Sequence, residues 1–227
     1  MILSAHQPCY LPWLGWFNKL YVADCFVILD NVQFEKGSYT NRTRVKTADG
    51  ARWLTIPIIQ NFGQPINDVK MNGDQWIWKH EKTIQQNYHK TEYYYKELQS
   101  SWTFGADHFS LADFLENDLI YWLSPFAIET PIFKASEIVT YRKKQDLIIE
   151  LCKHFKADTF LFGAQGRGYV EVEKFRKAGI TCLFQDFSSF EYKQMYGDFI
   201  PGLSVIDALF NCGPEKTKEL IVEGFKI

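Results

Sequence analysis

The feature that most limits what this chain can fold into is its opening. MILSA reads as a short buried strand, PWLGWFNKLYVA as an apolar helical stretch of twelve residues, and CFVILD as a second buried strand. Strand, helix and strand at this spacing describe a parallel crossover unit, because two parallel strands need a connection long enough to return along the sheet. Pro12 is expected in the first turn of that helix, where its missing N–H costs nothing. The rhythm resumes after Pro131. RKKQDLIIELCKHFKA is an amphipathic helix, DTFLFGA a strand, YVEVEKFRKAG a helix with Gly179 just past its end, and ITCLFQDF a strand. Ser204 and Asp207 start a short helix, and Pro214 another that ends near Gly224. The expected fold class is α/β, a mostly parallel sheet with helical crossovers.

Two further pieces lie between these halves. TRVKTADGARWLTIPI, residues 43 to 58, places two extended runs around Ala48-Asp49-Gly50, which is β-hairpin chemistry. From about Asp74 the pattern turns helical: DQWIWKHEKTIQQNY, TEYYYKELQSSW, then SLADFLENDLIYWL. In the last, Ser110 and Asp113 resemble a capping box, and Leu111, Phe114, Leu115, Leu119, Trp122 and Leu123 share one apolar face. Residues 72–128 are thus expected as a helical insert or layer. No repeat, low-complexity tract or Pro/Gly/Ser linker marks a boundary, so 1–227 is expected as a single domain.

Composition excludes some functions. A formal net charge of −2 gives no broad basic face for nucleic acid or anionic lipid, which would have to neutralise several phosphates. Five cysteines, an odd number and never closer than the sixteen residues between Cys9 and Cys25, suggest neither a disulfide framework nor a CxxC knuckle. His80, His89, His108 and His154 lack HxxxH or HExxH spacing, so no metal site is expected. MILSAHQP lacks the segments of a signal peptide, and no run approaches the ~20 apolar residues of a membrane helix. A cytoplasmic protein without an integral membrane segment is expected. The 19 Phe, 12 Tyr and 7 Trp serve a large core or a cleft that stacks a sugar or base.

In a parallel sheet, ligands bind beyond the carboxyl ends of the strands. The expected strands end in His6-Gln7, in Asp30-Asn31 with Gln33 nearby, in Gly163-Ala164-Gln165-Gly166-Arg167-Gly168, and in Gln185-Asp186. His6 is a general base or oxyanion donor, or else a histidine satisfying local backbone groups. Asp30 orients that histidine, binds a sugar hydroxyl or holds a metal, or simply ends a strand. The GAQGRG loop cradles a phosphate with Arg167 as charge partner, or is a plain turn. Strand alternation puts Arg42, Arg44 and Lys46 on one face, suited to a phosphate, a nucleotide-sugar diphosphate or a carboxylate, or to solvent. Cys9, three residues from His6, is a thiolate nucleophile or a small buried hydrophobe.

HQPCYLPWLGWFNKL, ADCFVILDNVQF, SYTNRTRVKT, WLTIPI, FLFGAQGRGYV and FQDFSSFEYKQMYGDFIPGLSVIDALFNCG together resemble the WbqC-like family of bacterial proteins over nearly the whole chain. The resemblance implies a place in O-antigen and other surface-polysaccharide (lipopolysaccharide) assembly. It also implies a glycyl or acyl transferase acting on an amino sugar or nucleotide sugar, alongside partner enzymes of the same cluster. The matching polar positions are His6, Gln7, Asp30, Gln33, Asn41, Arg42, Lys46, Gln165 and the stretch containing Gln194; Cys9 falls where the family has no fixed cysteine. On this reading His6 and Asp30 are catalytic, and Gln7, Gln33, Asn41, Arg42, Lys46, Gln165 and Arg167 bind substrate. The opening is also similar to that of pantothenate synthetases and other nucleotidylyl-transfer enzymes, which implies ATP as a co-substrate, although His6 is followed by Gln-Pro-Cys and not by the rest of an HxGH motif. A non-catalytic protein that holds a sugar nucleotide or a partner enzyme fits the same residues.

Overall fold

A computed structural model describes residues 1–94, 110–138 and 143–226. The opening folds as the crossover unit its spacing requires: β1 (Ile2–His6), α1 (Leu14–Val22) and β2 (Cys25–Ile28). Next come the hairpin strands β3 (Arg42–Thr47) and β4 (Gly50–Thr55), and a small antiparallel ribbon of β5 (Ile58–Ile59) with β6 (Lys70–Met71). The helices α2 (Gln75–Tyr88) and α3 (Leu111–Leu123) precede β7 (Ile132–Lys134). The chain then alternates α4 (Lys144–Phe155), β8 (Thr159–Phe162), α5 (Val172–Lys177) and β9 (Thr181–Phe184). It finishes with β10 (Asp186–Phe187), α6 (Val205–Glu223) and β11 (Phe225–Lys226).

Five of these strands make one all-parallel sheet in the order β7-β2-β1-β8-β9. The chain builds outward from β1 to β2 and β7, then returns to the other side for β8 and β9. The direction of winding therefore reverses between β1 and β8, and a reversal of this kind leaves a crevice at the carboxyl ends of the two strands.

Alternation along the strands divides the core. Phe26 and Ile28 face a cluster with Trp16, Phe17, Trp122 and Phe210; Leu3, Ala5, Cys25 and Val27 face another with Leu147, Leu151 and Phe175. Each face is thus covered by helices, and burying a side chain such as Phe17 or Phe26 completely contributes roughly 2–3 kcal/mol. Residues Leu14 to Leu20 of α1 are all buried, so its polar side chains must find partners inside. Asn18 donates to the Ile221 carbonyl at 2.6 Å, and Gln185 at the end of β9 donates to the Gly15 carbonyl (2.8 Å) and to Asn18 Oδ1 (2.6 Å).

Some local expectations need correction. Pro12 lies ahead of α1, whose N-cap is Trp13, because the Pro12 carbonyl is held by the Val205 N–H at 2.7 Å. The edge strand β7 has only three residues, too few to show a periodicity, and the β5–β6 ribbon is shorter still. The helices expected at Ser204 and Pro214 form one run broken at Gly213 (φ 81, ψ 169). The N-cap expected at Ser110 is present, its hydroxyl accepting from the Asp113 N–H at 3.1 Å and donating to the Asp113 carboxylate at 2.8 Å. The hairpin turns at Ala48-Asp49 as expected, while TEYYYKELQSSW lies largely outside the described residues.

The loop from Gln7 to Trp13 is fixed by three other parts of the fold. Leu11 sits at φ 41, in the left-handed region that costs a side-chain-bearing residue roughly 1–2 kcal/mol. Its N–H donates to the buried Asp118 carboxylate of α3 (3.4 Å), and its carbonyl accepts from Thr43 Oγ1 of β3 (2.9 Å). Tyr10 reaches His80 of α2, hydroxyl to Nδ1, at 3.0 Å.

Candidate functional site

The ladder between β1 and β2 runs to His6↔Ile28, whereas that between β1 and β8 stops at Ser4↔Leu161. Beyond Ser4 the two strands part, and a Cβ placed on Gly163, just past β8, would meet nothing within 4 Å. Lys19, from the middle of α1, donates to the Ala5 carbonyl at 2.7 Å at this parting. Only 5% of Lys19 is exposed, and among the described residues no carboxylate lies within 4 Å of it. An ammonium in that position has lost its water and gained one carbonyl in return.

His6 is the next residue along the strand. Its Nδ1 lies 2.8 Å from the Gln7 carbonyl, and a carbonyl only accepts, so Nδ1 carries the proton and Nε2 is the free acceptor. The imidazole packs edge-on against Trp13 (5.9 Å) and Trp16 (6.1 Å). Burial and the nearby Lys19 charge push its pKa down to about 3, so His6 is neutral at physiological pH. Burial also brings Lys19 down to about 7, which makes its amine a mixture of charged and neutral forms. Cys9 Sγ lies 3.7 Å from His6 Nδ1 and 3.5 Å from the Gln7 carbonyl, to which it donates. Burial pushes the thiol well up, so Cys9 is a small buried residue and not a thiolate.

Two neutral histidines make the fold sensitive to acid. Burial lowers His80 to about 4, and both His6 and His80 must take up a proton as the chain unfolds below pH 6.5. Stability is expected to fall from pH 6.5 toward pH 4, and His80→Gln to flatten part of that slope in urea titrations followed by circular dichroism. An equally steep slope in the variant would exclude His80 as a cause.

The other expected site residues are scattered. Asp30 is buried, and both its oxygens are taken by Ser136 in the turn after β7: the Ser136 N–H donates to Oδ1 at 2.9 Å and the hydroxyl to Oδ2. Gln33 is exposed and bridges to Pro65. Asn41 donates to the Ile56 carbonyl at 2.8 Å, tying the ends of the hairpin. Lys46 is buried and donates to Gln194 Oε1 (2.9 Å) and to the Asp198 carbonyl, beside the pair that Tyr88 and Tyr192 form with Asp207. Arg167 is exposed, reaches the Phe184 carbonyl at 3.4 Å and lies over its ring; Gln165 is exposed and Gln7 half-buried.

Arg42 is different, because aromatic contacts connect it to His6. From His6 the row runs through Trp13 (5.9 Å), Tyr39 (5.0 Å from Trp13) and Trp53 (5.3 Å from Tyr39), and the Arg42 guanidinium lies 4.1 Å from the Trp53 ring centre. Arg44 flanks the same ring at 5.9 Å and donates to the carbonyls of Pro201 and Gly202. Neither arginine pairs with a carboxylate among the described residues, and the Nε of each is buried without a partner. Trp13 and Tyr39 are partly exposed and Trp53 more so, at 40%. A row of rings ending in two cations can stack a sugar or base and hold an anion. No three His, Cys, Asp or Glu side chains gather as a metal would require, among the described residues.

The same motifs recur in known proteins: the WbqC-like protein family matches residues 7–219. This chain belongs to that family. Among curated proteins, the WbqC-like chain is similar to the uncharacterized protein Rv1507c of Mycobacterium tuberculosis, with 28% identity over 216 residues, covering 92% of this chain and 93% of the relative. No solved structure matches it. The family match takes in the loop from Gln7 onward, the hairpin and most of α6.

Sequence reasoning missed Lys19 and the aromatic row. A signal for Lys19 was present: a lysine inside a helix as apolar as GWFNKLYV has no solvent face to occupy. Trp13, Tyr39 and Trp53 come from a loop, a turn and a strand, so no spacing announces them.

Proposed function

We propose that this WbqC-like protein transfers a small acyl group, a glycyl unit, onto the amine of an amino sugar carried as a nucleotide sugar in surface-polysaccharide synthesis. The observation that supports this reading is the row His6–Trp13–Tyr39–Trp53 ending at Arg42 and Arg44. A sugar nucleotide laid along it stacks on the rings, places its diphosphate by the arginines and presents its amine to His6 Nε2. That nitrogen accepts a hydrogen bond from the amine and orients its lone pair toward the acyl carbon. Glycine is first activated by ATP as a glycyl adenylate with release of pyrophosphate; attack by the amine then forms the amide N–C bond as the C–O bond to AMP breaks, its electrons leaving with the phosphate, and the surplus proton on the amine nitrogen passes to solvent.

A second reading has its own support. His6 is a weak base in the free protein, and the carboxylate of Asp30 is fully occupied by Ser136, so neither is primed for proton transfer. On that reading the protein binds the sugar nucleotide, or a partner enzyme, without turnover.

Incubation with amino-sugar nucleotides, glycine and ATP is expected to yield a product heavier by one glycyl unit. His6→Ala should abolish it, and Trp53→Ala should weaken nucleotide-sugar affinity about tenfold, the worth of one stacking contact. Thermal stabilisation by the nucleotide sugar with no product would support the binding reading, and full turnover by His6→Ala would remove His6 from the chemistry.

A further inference from the structure

Lys19 and Trp16 are not explained by the aromatic row. They stand three residues apart on α1 and so share a face, the one turned toward the carboxyl end of β1. The Trp16 indole N–H is buried, with 1% of the residue exposed, and has no hydrogen-bond partner among the described residues. The Lys19 ammonium has three donors and one acceptor, the Ala5 carbonyl. Orphaned donors are rare in folded proteins, and a buried cation without a counter-ion is costly. Here both lie on the face of α1 that meets the carboxyl end of β1, Lys19 at the Ala5 carbonyl beside the parting from β8 and the Trp16 ring against His6 and, on the β2 side, Phe26.

We propose that the parted ends of β1 and β8 form an oxyanion subsite, in which the Lys19 ammonium and the Trp16 indole N–H hold a phosphate or carboxylate that enters past His6. The anion supplies the counter-ion and the acceptors that the protein itself withholds. His6 lies partly exposed at the mouth and contributes no negative charge. Among the described residues, the titratable groups acting on Lys19 are His6 and Cys9, from the strand end and the loop that follows it; both are neutral near pH 8, so neither competes with the ligand. Because the free amine is largely deprotonated at that pH, an arriving anion draws a proton onto Lys19 as it binds.

The subsite rests on Lys19 and Trp16 and not on acyl transfer. Binding of pyrophosphate without any glycyl product would defeat the proposed reaction and leave the subsite standing. Calorimetric titration of the full chain at pH 8 with inorganic pyrophosphate, in buffers of different ionisation enthalpy, is expected to show binding with uptake of close to one proton. Glycine forms a second arm: binding and proton uptake with glycine alone identify a carboxylate as the occupant, and with pyrophosphate alone a phosphate. Lys19→Met should lose both affinity and proton uptake, and Trp16→Phe, which keeps the ring packing, should weaken binding several-fold, with circular dichroism checking that each variant is folded. Absence of binding by both ligands, or binding by either folded variant equal to that of the unaltered protein, would overturn the assignment.

Discussion

Lys19→Met is expected to make the protein more stable at pH 7 and less stable above pH 10.5. Keeping Lys19 buried lowers its pKa from 10.5 to about 7, a gap worth up to ~5 kcal/mol once the pH is at or below the lower value. The sign follows from proton counts: between these limits the unfolded chain binds the proton and the folded one does not, so stability rises with pH. Methionine has a similar length and no charge, which removes that penalty. It leaves the Ala5 carbonyl without its partner, at a cost of roughly 1–3 kcal/mol at every pH. The net gain at pH 7 is therefore a few kcal/mol at most, and it should reverse in alkali. Urea midpoints of both proteins from pH 7 to 11 measure this directly. Parallel curves would mean that Lys19 is charged throughout and solvated in a way the geometry does not indicate.

Asp30→Ala is expected to destabilise the fold by roughly 3 kcal/mol, because it leaves the turn after β7 without the acceptor for two of its donors. Removing the other half of the contact should act in the same way, and the pair should couple. A double-mutant cycle of Asp30→Ala with Ser136→Ala should give a coupling energy of about 1–2 kcal/mol, near the worth of one hydrogen bond to a charged group. The Ser136 N–H remains in the alanine variant, so Asp30→Ala should cost more than Ser136→Ala. If Asp30→Ala instead kept full stability, its carboxylate would be free for the catalytic work that its position at a strand end suggested.

The comparison between Asp30 and Lys19 explains how far the sequence could be read. Both are ionisable residues in apolar surroundings, and the strand-end rule selected Asp30 and passed over Lys19. The rule is sound about place: His6 does stand where β1 and β8 part. It says nothing about which polar groups another part of the chain will consume. Asp30 was claimed by a serine 106 residues away, and Lys46 by Gln194, 148 residues away. Arg42 kept its Nε free and became one end of a row of rings, but the three aromatic residues between it and His6 are set by how the hairpin packs on the loop after β1.

Local periodicity was enough to fix the α/β class, the opening crossover, the hairpin about Ala48-Asp49 and the N-cap at Ser110, because each depends on residues close together in the chain. The tertiary structure alone decided that a three-residue strand completes the sheet, that Leu11 is held in a left-handed conformation by Asp118 and Thr43, and that Lys19 is buried at the Ala5 carbonyl with no counter-ion among the described residues. Those outcomes depend on which distant donors and acceptors meet once water has been excluded, and a one-dimensional pattern does not contain that pairing.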